Sequence, residues 1–266
     1  MRPADSLEEK LCRKRVAERF VFMMQAWTIT DRGAVRQQNQ DSCAVHFPLQ
    51  ERGIALVCDG MGGAKAGNVA SRLAVDIFWE TLGQYSPEEW HLDPHALLKH
   101  CAATANEVVF QKAITDPECE GMGTTVVAAL ILENRAYILN VGDSRAYFIN
   151  EEVGIRRVTR DHSVVEDLVS RGEIPPEAAR MHPQKNLITR ALGAEPDTRS
   201  DLYDITLVPG DYLLLCSDGL SNLMDDQEIS YEVLHGGATE TCCERLLQLA
   251  MSRGAPDNVT VVLLQK

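Results

Sequence analysis

The chain has 266 residues, of which 45% are hydrophobic and 24% are charged, and its formal net charge is -13. This composition supplies a folded core and excludes a chain that is disordered throughout. The negative charge argues against nucleic acid and anionic membrane surfaces as partners, since both would be repelled. No apolar run reaches the ~18 residues of a membrane span, so a cytoplasmic location is expected.

Residues 1–24 precede the first predicted strand and are interpreted as an extension of the folded domain. Two explanations remain open for them. Either translation starts at Met23 or Met24, or the segment forms a short amphipathic helix that serves as a docking arm. Residues 25–266 are predicted to form one domain, because layers of strands and helices can hold a chain of this length in a single unit.

The first half of that domain combines short strand patterns with two amphipathic helix patterns. Strands are predicted at 27–31, 43–47 and 54–59, where β-branched and apolar residues dominate. The first helix is predicted over 66–82. The second begins with Asp93 as its N-cap and Pro94 at the first helical position, which is the usual arrangement at a helix start.

The middle of the chain is rich in strand patterns and predicts an antiparallel meander. Its three strands are predicted at 124–132, 135–141 and 144–149. The glycine and two threonines at 123–125 are interpreted as a turn into a strand, with no catalytic duty. Ser163 and Glu166 predict a capping box for a short helix, and residues 173–188, which contain prolines, predict a surface flap.

The last third repeats the pattern of clustered strands and paired helices. Strands are predicted at 202–207, 211–216 and 259–264, with helices after Asp225 and Thr239. Because strands cluster while helices come in pairs, the sequence predicts an α+β fold, with two packed antiparallel β-sheets that form a β-sandwich flanked by pairs of α-helices.

Five aspartates are expected at strand ends. Two apolar strands run directly into Asp-Gly, at Asp59 and Asp218, and Asp41, Asp143 and Asp257 lie at the edges of other strands. Each Asp-Gly alone is also typical of a β-turn. Together, five carboxylates at one rim could hold two divalent cations, and oxygen ligands without a His/Cys set favour Mg²⁺ or Mn²⁺ over zinc.

Eight short motifs carry a resemblance to a known family. They are Arg36-x-x-Asn39-x-Asp41-Ser42, the DGMGG segment at 59–63, GMGTT at 121–125, VGDSR at 141–145, DHS at 161–163, Leu192-Gly193, SDGL at 217–220 and Asp257-Asn258. In this order, from about Thr28 to Leu264, they resemble the metal-dependent protein phosphatases of the type 2C family in the short bacterial form.

The resemblance implies a role for each matching residue. Asp59 would bridge two metals, the Gly60 carbonyl would bind one of them, and Asp218 and Asp257 would complete the other. Asp143 with Asp218 would form a weaker third metal site. Asp41, through metal-bound water, and Asn258 would support the ligands from behind. Arg36 would hold the substrate phosphate, because its planar fork matches two phosphate oxygens.

The implied activity is that of a cytoplasmic, monomeric serine/threonine phosphatase that counteracts a bacterial Ser/Thr kinase on phosphorylated proteins. A hydroxide that bridges two Mn²⁺ or Mg²⁺ ions would attack phosphorus, with Arg36, Asp59 and Asp218 as the catalytic set. The chain has Met61 where animal members carry a histidine, which leaves the general acid open. A metal-bound water is the preferred donor, and His162 is either a weaker candidate or a structural residue.

Two other functions stay open at this point. One is a binding module of the same fold that has lost turnover, although no metal ligand is missing from the sequence. The other is a two-metal nuclease or nucleotide hydrolase, against which the net charge of -13 counts.

Overall fold

The computed structural model of the protein describes residues 24–63 and 66–266. The extension predicted for residues 1–24 therefore lies outside the described residues, except for Met24. Among the described helices, none combines the length and the apolar character that crossing a membrane requires.

The described residues fold into β-strands, α-helices and short 3₁₀ turns. The strands are β1 (Gln25–Asp31), β2 (Asp41–Leu49), β3 (Arg52–Met61), β4 (Gly123–Thr124), β5 (Val126–Leu132), β6 (Arg135–Val141), β7 (Arg145–Asn150), β8 (Gly154–Arg157), β9 (Asp201–Thr206), β10 (Tyr212–Cys216) and β11 (Val259–Gln265). The α-helices are α1 (Ala66–Leu82), α2 (Pro94–Thr115), α3 (Val164–Ser170), α4 (Pro176–Ala179), α5 (Asp218–Ser221), α6 (Asp226–Leu234) and α7 (Cys242–Ser252). The 3₁₀ turns lie at Glu89–His91, Pro117–Cys119 and Thr239–Thr241.

Two antiparallel sheets form the centre of the fold. One has the strand order β1-β11-β10-β7-β8, and the other has the order β2-β3-β5-β6-β9 with β4 paired to β3. The first and last described strands are neighbours, with Gln25 opposite Gln265. The predicted α+β fold with two packed antiparallel sheets is confirmed.

Three apolar clusters fill the spaces between the layers. One lies between the two sheets, one lies between the β3 side and helices α1 and α2, and one lies between the β11 side and helices α5 to α7. Strand β3 contributes to two of them, with Leu56 facing the helices and Val57 facing the other sheet. Because side chains alternate along a strand, burial on both faces explains why 54–58 is an unbroken apolar run.

The predicted three-strand meander is wrong at its third strand. Strands β5 and β6 pair as expected, but β7 pairs with β10 and β8 in the other sheet. Gly142, at φ +108°, makes the crossing, and a Cβ on it would lie 2.5 Å from Cγ2 of Thr125. The chain therefore changes sheets at Gly142, and Asp143 lies at the crossing point between the two layers.

The helix starts follow the capping chemistry predicted from the sequence, with one exception. Asp93 accepts a hydrogen bond from the backbone N–H of Ala96 at 2.9 Å, as predicted. At the start of α3, Ser163 Oγ accepts from the N–H of Glu166, but the Glu166 carboxylate pairs with Arg157 at 2.9 Å instead of returning to the cap. The capping box predicted there is therefore only half formed.

The predicted flap, 173–188, contains α4 and a series of turns. It is largely exposed, and Met181 at its centre is 87% exposed. Arg180 fastens it to the body of the molecule, because its guanidinium donates to the backbone oxygens of Ser221 and Met224 at 3.2 and 2.6 Å.

Phe78 on α1 is fully buried in the cluster between the helices and the six-stranded sheet. We expect Phe78→Ala to lower the free energy of unfolding by about 3–5 kcal/mol, since it removes apolar contacts and leaves a cavity. Urea titration at neutral pH measures the change. Leu92→Ala, at a side chain that is 83% exposed, is the matched control and should change the free energy by less than about 0.5 kcal/mol. Equal effects of the two substitutions would contradict this packing.

Glu228 links the last two helices. It completes a capping box with Asp225 and pairs with Arg253, and these hydrogen bonds, that to Arg253 foremost, lower its pKa from 4.5 to about 2. A depressed carboxyl pKa adds stability that is complete above pH 4.5 and is lost as pH falls towards about 2.

The free-energy difference between wild type and Glu228→Gln should therefore be largest above pH 4.5 and should shrink over that interval. Urea titrations at a series of pH values measure it. A difference that is constant across the series would contradict the assigned contact.

Candidate metal centre

Asp41 lies where the two sheets meet. It is opposite Asp59 across the β2–β3 pair and is 6% exposed. Its Oδ2 accepts hydrogen bonds from Ser217 Oγ and Thr260 Oγ1, both at 2.7 Å, and these hydroxyls belong to the other sheet or to its immediate end. One carboxylate oxygen therefore joins the ends of strands from both sheets.

Two threonines, Thr124 and Thr125, fix the backbone of Asp59, although the sequence pattern predicted only a turn there. The Asp59 N–H donates to Thr125 Oγ1 at 2.9 Å. The Asp59 carbonyl accepts from the Thr125 N–H and from Thr124 Oγ1, each at 2.9 Å. Thr125 Oγ1 also lies 2.8 Å from Ser144 Oγ. These contacts orient Asp59, and a pattern of threonines beside glycine in the sequence does not disclose them.

Gly60 must be glycine because α1 packs against it. A Cβ on Gly60 would lie 2.0 Å from the carbonyl oxygen of Gly67, closer than any real contact. In return, a Cβ on Gly67 would lie 2.6 Å from the Gly60 carbonyl oxygen. The two glycines bring the first turn of the helix against the end of β3, which places the Gly60 carbonyl beside Asp59.

Asp218 opens the short helix α5, directly after β10. Its Oδ2 accepts from Asn222 Nδ2 at 2.9 Å, whereas its Oδ1 is buried without a hydrogen-bond partner among the described residues. The next residue, Gly219, packs so closely on the Asp257–Asn258 loop that a Cβ would lie 1.9 Å from the Asn258 carbonyl oxygen. This close approach brings the two aspartates, Asp218 and Asp257, to the same side of the sandwich.

The five predicted carboxylates act on one another electrostatically. Burial raises the pKa of Asp59 well above 3.8, and the charges of Asp41, Asp218, Asp143 and Asp257 raise it further. Burial, followed by the charge of Asp218, does the same to the pKa of Asp143. Burial is also the main cause that raises the pKa of Asp41 to about 7 and that of Asp218 to about 6. The site concentrates negative charge that calls for cations.

The donor set fits hard divalent cations. Asp41 Oδ1 and Asp218 Oδ1 are buried oxygens without a hydrogen-bond partner in the described part of the chain, and such atoms need a ligand or water. Carboxylate and carbonyl oxygens suit Mg²⁺ and Mn²⁺. Within 24–63 and 66–266, however, no three His, Cys, Asp or Glu side chains are placed so that they could hold a metal ion as they stand.

Arg36 reaches the same rim. Its guanidinium donates to Asp257 Oδ2 at 2.7 Å, and both side chains are partly exposed. Gly33, at φ +74°, permits the approach, because a Cβ there would lie 2.1 Å from the Asp257 carbonyl oxygen. The structure therefore brings the predicted phosphate-binding residue into direct contact with a predicted metal ligand.

Asn258 ties the loop that carries Arg36 to the loop that carries Asp257. Its Oδ1 accepts from the Gln40 N–H at 2.8 Å. Its Nδ2 donates to the carbonyls of Arg32 and Gln38 at 2.9 and 3.0 Å. One amide side chain thus satisfies three backbone groups, and it explains structurally why Asn follows Asp257.

His162 is engaged on both sides of its ring. Its Nδ1 accepts from the Gly142 N–H at 3.0 Å, and its Nε2 lies 3.2 Å from Asp201 Oδ2. It is 5% exposed, and its pKa is lowered, chiefly by burial. This geometry suits a residue that holds the Gly142 crossing turn in place, which is the structural alternative in the sequence analysis.

Known proteins are similar in sequence to this chain over most of its length. The model of the protein phosphatase 2C family matches residues 32–251. Serine/threonine phosphatase stp of Listeria innocua is 38% identical over 242 residues, 89% of this chain and 94% of that protein. Protein phosphatase PhpP of Streptococcus pneumoniae is 34% identical over 249 residues, 91% of this chain and 97% of that protein.

Solved structures agree in fold. The serine/threonine phosphatase Stp1 from Staphylococcus aureus has a TM-score of 0.86 and 38% identity, and the match covers 92% of this chain and 95% of that one. The catalytic domain of PstP, solved in complex with two manganese ions, has a TM-score of 0.79 and 32% identity, with 91% and 98% covered.

The site and fold define a hydrolase of phosphorylated proteins, a phosphoprotein phosphatase. The chain belongs to the protein phosphatase 2C family. The resemblance inferred from the eight motifs is thereby confirmed, whereas the role of each site residue stays a prediction.

Asn258→Ala would leave the Gln40 N–H and the Arg32 and Gln38 carbonyls without their partner. We expect it to lower the free energy of unfolding by about 1–3 kcal/mol, the cost of losing three partly buried hydrogen bonds, and to raise the manganese concentration needed for half-maximal activity. Urea titration and activity titration measure the two effects. Asn134→Ala, on the exposed turn between β5 and β6, is the control and should change neither.

Proposed function

We propose that the chain hydrolyses phosphoserine and phosphothreonine in proteins with two divalent cations, Mn²⁺ or Mg²⁺. Asp59, the Gly60 carbonyl, Asp218 and Asp257 would hold them, and Asp143 with Asp218 would hold a weaker third. The observation that carries the proposal is the set of buried, mutually repelling carboxylates with two unpartnered oxygens among the described residues. The two manganese ions in the PstP complex support the number of cations.

In this proposal Arg36 binds the phosphate group of the substrate. Its fork now pairs with one carboxylate oxygen of Asp257 and is 50% exposed in its side chain, so it stands at the mouth of the site. A guanidinium matches two phosphoryl oxygens in one plane. In that position Arg36 orients the phosphoryl group and offsets the charge on its oxygens in the transition state.

Asp41 supports the site from within. The hydroxyls of Ser217 and Thr260 hold one of its oxygens, and Oδ1, which is buried without a hydrogen-bond partner among the described residues, is available as an acceptor for ordered water. When bound, paired divalent cations supply acidified water near neutral pH and neutralise phosphoryl charge. Asp41 would help to position such water, because the hydroxyls of Ser217 and Thr260 set its own orientation.

The leaving hydroxyl needs a proton, and neither of the two residues considered as its source, Met61 and His162, is suited to donate it. Met61 has no titratable group, and both ring nitrogens of His162 face the Gly142 turn and Asp201. Water in the open mouth of the site is therefore the source of the proton in this proposal.

The physiological counterpart that fits this activity is a bacterial Ser/Thr kinase together with its substrate proteins, with the phosphatase acting as a cytoplasmic monomer. The two alternative functions have less support. A binding module without turnover would have lost ligands, but all predicted oxygen donors are present. A nuclease would carry a basic stripe, which an acidic chain of charge -13 does not favour.

Asp218→Asn tests the proposal. The substitution keeps the size of the side chain but removes a charge, and we expect at least about a 100-fold lower kcat, as for loss of one preorganised electrostatic group. Manganese-dependent hydrolysis of p-nitrophenyl phosphate and of a phosphothreonine peptide measures activity, and calorimetry measures manganese binding. Glu244→Gln, an exposed acid on α7, is the control. Activity that survives both EDTA and Asp218→Asn would refute the two-cation mechanism.

A further inference from the structure

A two-part groove leaves the candidate metal centre on the side of Met61. The proximal part is a cavity of about 440 Å³ lined mainly by residues 188–199, and Met61 forms its wall next to the site. The distal part is a cavity of about 560 Å³ between the end of α2 and Gly193. Ala194 lines both cavities, so they lie side by side on one surface, and the two together are called the groove.

The proximal cavity adjoins the candidate metal centre through Met61. Met61 directly follows Gly60 and pairs with Gly123 across the short β4 strand. A Cβ on Gly123 would lie 3.7 Å from Met61 Cγ and 3.7 Å from Ala191 Cβ, so these side chains stand together. A chain that places its phosphorylated residue at Asp59 therefore meets the proximal cavity with the residues that flank it.

The outer wall of the groove is rigidly held before any ligand arrives. Leu192 and Thr124 exchange two backbone hydrogen bonds of 3.0 and 2.8 Å. Asn106 on α2 accepts from the Gly193 N–H at 2.8 Å and donates to the carbonyls of Glu195 and Pro196 at 3.1 and 2.9 Å. A preorganised wall loses little conformational entropy when a chain binds along it.

The two parts of the groove differ in chemistry. The distal cavity contains most of the large apolar side chains, with Met122 buried and Ile114, on the last turn of α2, 61% exposed, whereas acidic residues line part of its edge. An exposed large apolar side chain beside a buried apolar floor is suited to a large apolar side chain of a partner. The distal cavity can therefore anchor one leucine- or phenylalanine-sized group.

The rim of the groove is acidic. Glu120, Glu195 and Asp197 line it, and none of them pairs with a cation within the part of the chain that the structure describes. Of the two arginines in the proximal cavity, Arg190 is paired with Asp201 at 2.9 Å, whereas Arg199 has no carboxylate partner among the described residues. Three carboxylates against one uncommitted guanidinium favour a basic ligand.

We propose that this groove binds the segment of the phosphoprotein substrate on one side of the phosphorylated residue, and that it selects basic residues near that residue and one large apolar residue farther along. The inference rests on the proposed function, since it extends the same site. The occupant is a substrate chain, because Met61 joins the proximal cavity to the end of β3 that carries Asp59 and Gly60, the rim charge complements a basic segment, and the far end takes an apolar anchor.

The test compares substrates on full-length variants. Ile114→Asp puts charge into the distal cavity, Ala194→Trp blocks the junction, and Glu120→Lys reverses rim charge. The substrates are phosphothreonine peptides that carry basic residues near the phosphorylated residue and one leucine, placed at successive positions on one side of it. In the three variants kcat/KM for these peptides should fall about 10-fold or more, as for loss of a side-chain pocket. Hydrolysis of p-nitrophenyl phosphate should be unchanged, because this small substrate has no flanking residues to place in the groove. Val153→Asp and Glu244→Lys, at exposed positions elsewhere, are the matched controls.

A measurement of peptide binding tests the groove independently of the proposed catalytic function. Fluorescence anisotropy with the same labelled peptide in unphosphorylated form needs no catalysis. Loss of binding in Ala194→Trp supports the groove even if the chain fails to hydrolyse either substrate, a failure that would refute the proposed function alone. Peptide kinetics and peptide binding that are the same in all variants would overturn the groove. Self-association of the wild type that Ala194→Trp abolishes, with peptide binding intact, would assign the groove to a second copy of this chain and also overturn it.

Discussion

The structure depends on one buried carboxylate. Asp41 belongs to the six-stranded sheet, and its Oδ2 receives the hydroxyls of Ser217 and Thr260 from the ends of strands in the other sheet. The apolar cluster between the sheets fixes their distance, but apolar contact is non-directional and does not fix their relative slide. The hydrogen bonds to Asp41 do, because they have a preferred length and angle. The registration of Asp59 with Asp218, and hence the site, follows from that alignment.

The same alignment brings buried, like-charged carboxylates together, which destabilises the folded protein when no cation is bound. Burial and like charges raise the pKa of Asp59 and Asp143, which means that the charged forms are disfavoured where they stand. Functional sites concentrate unfavourable electrostatics of this kind because the same charges bind a ligand. The tight glycine packing at Gly60 and Gly219 and the amide of Asn258 hold these groups in place against their repulsion.

Much of the fold could be predicted from sequence because local patterns are strong there. The apolar run at 54–58, the Asp93 cap and the paired amphipathic helices each have a local cause, and the structure contains all three elements. The motifs also identified the family. The exchange of sheets at Gly142 could not be predicted, since a Gly-Asp turn has the same sequence pattern whether the next strand pairs in its own sheet or in the other one. The choice depends on contacts of Gly142 with Thr125 and His162, which are distant in sequence.

The site divides in a similar way. The five aspartates could be found in the sequence because each follows or precedes a strand. The resemblance of their motifs to the family then implied a role for each one. The supporting contacts could not be found. Thr124 and Thr125 fix the Asp59 backbone, and Asn258 serves three backbone groups, through hydrogen bonds that span some 65 to 220 positions. No periodicity or propensity encodes contacts at that separation.

The pairing of β1 with β11 has a consequence for biosynthesis. Its register joins Gln25 to Gln265, and the strand that is synthesised last among those described lies between β1 and β10 in the five-stranded sheet. Asp257 and Asn258 immediately precede that strand. Before β11 is synthesised, all strands of the six-stranded sheet are present, whereas β1 and β10 of the other sheet lack the strand that lies between them. The five-stranded sheet, and with it the position of the Asp257–Asn258 loop, is therefore completed by a contact between distant parts of the chain.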